Sequence, residues 1–331
     1  MLEHGGRLRD AARRYGRPLA QWLDLSTGIN PVPWPVPALP PAIWHRLPEP
    51  DSLLTEAACA YYRAPRMLAV AGTQAAIQAL PRLRQPSRIL VAAPAYAEHA
   101  HSWRVAGHQV REMDHACLDQ GIADADVLVL CNPNNPTGAT VDPDVLLDWH
   151  GRLAARGGWL VVDEAFGDTV PALSVAHAAD REGLVVLRSV GKFFGLAGLR
   201  LGFVAADEAL LARLAASLGP WTISTAAQQI GRLALADVAW QQMNQTRLQA
   251  CGQRLQRMLD AAGIVASGTA LFQWWPARQP EALHAHMAAR GILVRCFAQD
   301  ARGIRLGLPA DESGWTRLQQ ALAAWQEEGQ A

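Results

Sequence analysis

The run DVLVLCNPNNPTG at 126–138 decides the fold class. Its apolar part, VLVLC, is too short for a core helix and breaks off into Asn-Pro and Thr-Gly, which are turn formers. Three other stretches repeat the pattern: RILVAAPAY at 88–96, WLVVDEAF at 159–166 and LVVLRSVGK at 184–192. Each is a short apolar run that ends in polar or glycine-rich residues. Helical patterns intervene, such as DPDVLLDWHGRLAARGG at 142–158 and TQAAIQALPRLR at 73–84. Strands apolar on both faces, alternating with helices, specify an α/β fold with a mostly parallel central sheet sandwiched by helices. Ligands of such sheets bind beyond the carboxyl ends of the strands. Asn135, Asp163, Ser189 and Lys192 collect there.

Outward from this centre the pattern changes on both sides. The prolines at 31, 33, 35, 37, 40 and 41 forbid a regular helix or central strand and predict an arm laid over the surface or over a partner. Beyond about 205 the chain reads as helical for some sixty residues. Strands follow near 271–275, 292–296 and 303–308, with a last helix near 311–328, which predicts a smaller α+β C-terminal domain. The expected organisation is an N-terminal arm with part of the small domain (1–45), a large domain (46–215), and an interdomain helix with the small C-terminal domain (216–331).

The chain has 331 residues, half of them hydrophobic, and 30 basic residues balance 30 acidic ones. No excess positive charge points to nucleic acid or to a membrane surface, so a small-molecule substrate is expected. The five cysteines form no C-x-x-C pair, which argues against a disulfide framework or a zinc site and for a reducing cytoplasm. The polar N-terminus does not read as a signal peptide, and the apolar runs are too short to span a bilayer. His99/His101 and His284/His286 are H-x-H pairs with no third ligand in view, so no metal is expected. No Walker loop or G-x-S-x-G elbow is present.

Lys192 stands in SVGKFFGLAGLRLGF at 189–203, hemmed by Gly191, Phe193 and Phe194. A loop lysine ordinarily snorkels to water. Poor solvation instead favours the free amine, a nucleophile able to hold a carbonyl as a Schiff base. Asp163 could simply cap a helix, or it could face a cofactor's ring nitrogen and keep a pyridinium protonated. The amide of Asn135 could donate to a ring oxygen. GTQAAIQAL at 72–80 is a glycine turn entering a helix, where free N–H groups suit a phosphate.

Taken in order, NPNNPTG (132–138), DEAF (163–166), SVGK (189–192) and RLG (200–202) resemble the pyridoxal-phosphate enzymes of the aspartate-aminotransferase fold, aminotransferase class I/II. The resemblance runs over nearly the whole chain. It implies fold type I, pyridoxal 5'-phosphate as cofactor and a homodimer. It makes Lys192 the Schiff-base lysine. Ser189, Arg200, Thr73 and Gln74 would hold the cofactor phosphate, Asp163 the ring nitrogen and Asn135 the ring oxygen. Tyr96 would stack on the ring, with His99 behind Asp163, and Arg305 would bind a substrate carboxylate. Two positions depart from the family: Phe166, where many members have a tyrosine that touches the ring oxygen, and Leu47, where relatives commonly place a tyrosine that reaches the neighbouring subunit's cofactor.

HGGRLRDAARRYG followed by LDLSTGINPVPWP is similar to the branch that holds histidinol-phosphate aminotransferase and the cobalamin-pathway threonine-phosphate decarboxylase. The decarboxylase-like start implies L-threonine O-3-phosphate as substrate, with His4, Asn30 and Arg295 as further contacts to its phosphate or carboxylate. An aminotransferase acting on histidinol phosphate or a related amino acid is the alternative. A non-catalytic relative is disfavoured by the retained Lys192.

Overall fold

The computed structural model describes residues 4–298 and 301–330. In chain order its elements begin α1 (Leu8–Tyr15), β1 (Leu23–Asp24), α2 (Ser52–Tyr62), β2 (Leu68–Val70), α3 (Thr73–Ala79), β3 (Arg88–Ala93), α4 (Glu98–Val105), β4 (Gln109–Asp114) and α5 (Leu118–Gly121). They continue with β5 (Val127–Cys131), α6 (Pro143–Ala154), β6 (Trp159–Asp163), β7 (Leu184–Ser189), β8 (Gly202–Ala205), α7 (Glu208–Leu218) and α8 (Thr225–Ala236). The last are α9 (Val238–Ala261), β9 (Ser267–Thr269), β10 (Phe272–Pro276), α10 (Pro280–Ala289), β11 (Ile292–Leu293), β12 (Arg295–Phe297), β13 (Gly303–Gly307) and α11 (Glu312–Gln330). The chain divides into two compact units. The larger holds residues 33–135 and 139–243; the other holds the N-terminal residues up to 32, residues 136–138 and the chain from 244 onward.

The larger unit is built on a seven-stranded sheet in the order β2-β8-β7-β6-β5-β3-β4. Its β4-β3-β5-β6-β7 part is parallel, and β8 runs antiparallel to both β7 and β2. Every residue of β5 and β6 is buried, as strands covered on both faces require. Ile89, Val91, Val127, Val129, Val161, Val185 and Leu187 share one core with Ile77 and Leu80 and with Leu210 and Leu214 of α7. The alternate residues face the other side, where α6 lies against β6 and α5 against β3. The helices start where the sequence caps them. Asp51, Asp142, Asp207 and Ser224 each accept a backbone N–H of the first turn of α2, α6, α7 and α8.

The runs read from the sequence do not include β4 and β8. β4 is QVREMD, an exposed edge strand whose charges blunt further pairing. β8 has four residues and an antiparallel course. The α/β architecture with a smaller α+β part is as expected. In the smaller unit β12-β13-β10-β9 form an antiparallel sheet, and β1 pairs in parallel with β11. Among the described residues no helix is long and apolar enough to cross a membrane.

Candidate active site

β5, β6 and β7 are neighbours in the sheet, so their carboxyl ends deliver Asn132–Asn135, Asp163 and Ser189–Lys192 side by side. The loop after β7 is pinned by its apolar residues. Phe193 and Phe194 are fully buried. Phe194 stacks on Trp240 (5.6 Å between centroids, 14° between planes) and meets Tyr61 edge-on. Its carbonyl accepts the Trp34 N–H at 2.9 Å. Lys192, just ahead of them, is half-buried. Its Nζ lies 5.3 Å from the centre of the Phe166 ring, which forms an apolar wall for the amine.

Arg200 adopts the left-handed conformation (φ 54°, ψ 47°) between this loop and β8. That geometry turns its guanidinium against the turn from β2 into α3. A Cβ on Gly72 would stand 2.4 Å from Arg200 Nη2, and Gly72 itself has φ +73°. A Cβ on Gly202 would meet the Thr73 amide nitrogen at 2.8 Å. Two glycines therefore let β8 and Arg200 close on the first turn of α3, where Thr73 and Gln74 begin. Ser189, at the end of β7, accepts the Gly191 N–H at 3.2 Å.

Asp163 is buried and doubly held. Oδ1 accepts the Ala165 N–H at 3.0 Å, and Oδ2 lies 2.9 Å from His99 Nε2. Burial works against charge on His99. The hydrogen bond to Asp163, with a contribution from Cys131, outweighs it and pushes the imidazole pKa up to about 10. An imidazolium paired with a carboxylate is the resulting state. Tyr96 packs edge-on to His99 at 6.0 Å. Its hydroxyl donates to Gln74 Oε1 (3.2 Å), and Gln74 Nε2 donates to Glu98 (2.8 Å). Burial first, then Glu98 and Asp163, push the phenol up to about 12, so it is neutral near pH 7.

The asparagines of NPNNPTG divide their work. Asn132 exchanges two hydrogen bonds with the backbone of Val141 (2.9 and 3.1 Å), and Asn134 donates to the Pro94 carbonyl at 2.9 Å. These tie the loop to itself and to the loop after β3. Asn135, the third asparagine of the motif, is half-buried. Glu164 likewise braces. It accepts from Ser174 Oγ (2.6 Å), the Val175 N–H (2.9 Å) and Arg188 Nη1 (2.5 Å), while Arg188 also reaches Asp168 at 3.1 Å.

The substrate candidates belong to the smaller unit. Arg295 and Arg305 are direct cross-strand partners on β12 and β13. Arg305 is buried, donates to the Ser26 carbonyl at 2.7 Å and lies 5.3 Å over the Phe272 ring. Burial, then the like charge of Arg295, pull its pKa down to about 9. Like charges directly opposite on a sheet repel, and an anion between or beside them relieves that. Arg295 and His4 line one cavity of about 450 Å3, together with Arg14, Ser26 and His284. Asn30 is buried in a different arrangement. It donates to Asn244 Oδ1 (3.1 Å) and accepts from the Val32 N–H (3.0 Å) and from Arg247. Sequence reasoning did not single out Ser26, Arg247 or the cavity role of His284. Ser26 lay inside the LDLSTGINP stretch. His284 was weighed only as half of an H-x-H pair, whose second member, His286, is buried against the Ala321 carbonyl at 2.8 Å.

Residues 43–322 match the family model described as aminotransferase class I and II. The chain is 54% identical over 328 residues to threonine-phosphate decarboxylase of Pseudomonas aeruginosa, covering 99% of each chain. It is 42% identical over 334 residues to threonine-phosphate decarboxylase of a Sinorhizobium species, covering 97% of this chain and 98% of that one. Its fold is also that of histidinol-phosphate aminotransferase from Sinorhizobium meliloti, solved in complex with pyridoxal-5'-phosphate. The TM-score is 0.79 at 19% identity, over 99% of this chain and 96% of that one. By its sheet, by its ordered motifs and by this likeness along nearly its full length, the chain belongs to the aminotransferase class I and II family.

Proposed function

We propose that this chain is a pyridoxal 5'-phosphate-dependent carboxy-lyase that converts L-threonine O-3-phosphate to (R)-1-amino-2-propanol O-2-phosphate and CO2, as a supplier of the aminopropanol linker of cobalamin. The observation that carries the choice of substrate is the Arg295–Arg305 pair beside the cavity lined by His4. Two guanidinium groups on one sheet face match a substrate with two anionic groups, a carboxylate and a phosphate. Histidinol phosphate, the amine of the alternative reading, carries only the phosphate. The likeness to two threonine-phosphate decarboxylases supports the same choice.

The donor set of the larger unit fits the cofactor. A half-buried amine with an apolar wall suits an aldehyde, a carboxylate backed by an imidazolium suits a ring N–H, and a guanidinium seated against Gly72 suits a phosphate. When bound, the cofactor supplies an electron sink for the bond broken at the substrate's Cα. Lys192 Nζ would hold the aldehyde. Asp163, paired with His99, would hold the ring N–H. Asn135 would donate to the ring oxygen, and Tyr96 would cover the ring face. Arg200, Ser189 and the Thr73–Gln74 backbone would hold the cofactor phosphate. Arg305 grips the substrate carboxylate, and His4 and Arg295 its phosphate, so the substrate is held at two ends. That two-point hold selects which bond at Cα lies in position to break. Loss of the carboxylate as CO2 leaves a site on Cα that takes up one proton.

The homodimer belongs to the same proposal. Trp44, Leu47 and Leu53 of the larger unit are large, apolar and exposed, which supports a face covered by a second copy. Among the described residues no disulfide joins the five cysteines, in keeping with the cytoplasm.

The test is a product assay with no keto acid present. Purified protein with cofactor and L-threonine O-3-phosphate should release CO2 and aminopropanol phosphate in equal amounts, and Lys192→Ala should abolish both. Glutamate formed from histidinol phosphate and 2-oxoglutarate, without CO2, would establish the aminotransferase instead.

A further inference from the structure

His4, Gly5 and Gly6 precede α1 and belong to no helix or strand, yet their backbone is held at one point. The Gly6 N–H donates to Ser26 Oγ at 2.8 Å. A Cβ on Gly5 would stand 2.4 Å from the Ser26 carbonyl oxygen, and Gly6 has φ +78°. Both glycines of the HGG start are thus required by contact with, or curvature around, Ser26.

Ser26 is itself fixed. Its hydroxyl donates to Asp24 Oδ1 at 2.6 Å while accepting from Gly6, and the same carboxylate oxygen accepts the Ser26 N–H at 2.9 Å. Its carbonyl accepts Arg305 Nη2 at 2.7 Å. The residue before it is clamped between the two arginine-bearing regions. The Leu25 N–H donates to the Leu293 carbonyl (2.8 Å), two residues ahead of Arg295, and the Leu25 carbonyl accepts the Gly307 N–H (2.7 Å), two residues beyond Arg305. Ser26 is only 2% exposed. It therefore ties the backbone just after His4 to the same rigid reference as both arginines.

We propose that Ser26 is a positioning residue: its hydroxyl clips the N-terminal strap so that His4 stands at the cavity it shares with Arg295, and anion recognition there depends on the clip. The ligand class, a phosphomonoester, rests on the functional reading above. Ser26 acts through its bonds to Gly6, Asp24 and Arg305.

Two variants of the holoenzyme test it. Ser26→Ala removes the hydroxyl. Gly5→Ala leaves Ser26 intact and drives a Cβ into its carbonyl. Hydrogen–deuterium exchange of the N-terminal peptide, titration calorimetry with inorganic phosphate, and the split of KM against kcat are measured for both. The expected result is faster exchange over residues 4–7 in both variants, phosphate affinity weakened about fivefold or more, and a KM that rises far more than kcat falls. The visible absorbance of the bound cofactor should not change. Unaltered exchange or unaltered phosphate affinity in both variants would overturn the proposal. So would weakening in Ser26→Ala alone, which would make Ser26 a direct ligand. If the wild type releases no CO2, the functional reading fails by itself, and exchange and phosphate titration still decide on the clip.

Discussion

The guanidinium of Arg200 occupies the place where a side chain on residue 72 would begin. The distance from its Nη2 to a Cβ built on Gly72 is 2.4 Å. Gly72 is therefore required twice, for its φ of +73° and for this approach. Gly72→Ala should cost about 1–3 kcal/mol of stability from backbone strain. It should also displace the arginine proposed to hold the cofactor phosphate and weaken cofactor binding about tenfold or more. Thermal melting of the cofactor-free protein measures the first effect, and fluorescence titration with pyridoxal phosphate the second. An unchanged titration would remove Arg200 from the phosphate site.

The His99–Asp163 pair carries a pH signature. Folding raises the His99 pKa from the usual 6.5 to about 10. A cation favoured in the folded state adds stability that is complete below the unfolded pKa and is lost as pH climbs through the folded one. The wild type should lose stability between about pH 6.5 and about pH 10 through this group. His99→Gln, which keeps a donor but no charge, should be less stable at pH 6 and flatter across the same window. Denaturant melts at a series of pH values check the slopes. Parallel curves for the two proteins would mean that His99 is neutral beside Asp163.

What the sequence disclosed, and what it hid, follows from where the information lies. β5, β6 and β7 were legible because burial on both faces demands continuous apolar residues. The placing of Asn135, Asp163 and Lys192 at the carboxyl ends was legible because Asp163 closes β6 and the other two stand in the loops that leave β5 and β7. β4 was not, since an edge strand spelled QVREMD has the composition of a loop. Nor was the facing of Arg295 and Arg305. Ten positions separate them, and only the register of β12 on β13 makes them partners. The division of labour within the motifs was equally hidden. Nothing local says that Asn132, Asn134 and Glu164 brace the backbone around the site; that depends on which neighbours the fold supplies.

That register gives the Arg295–Arg305 pair opposite effects on stability and on binding. Two cations directly across a sheet, one of them buried, repel each other. Arg295→Ala should therefore stabilise the ligand-free protein by about 0.2–1 kcal/mol. The same change removes a charged donor from the proposed anion site and should raise KM for the phosphorylated amino acid about tenfold to a hundredfold. Melting curves with and without inorganic phosphate separate the two effects. Added phosphate should raise the wild-type Tm more than that of the variant, because stabilisation by a ligand grows with its affinity for the folded state. A variant that is both less stable and equally responsive to phosphate would mean that Arg295 is held by its neighbours as a structural cation, and the phosphate would then have to be sought elsewhere in the smaller unit.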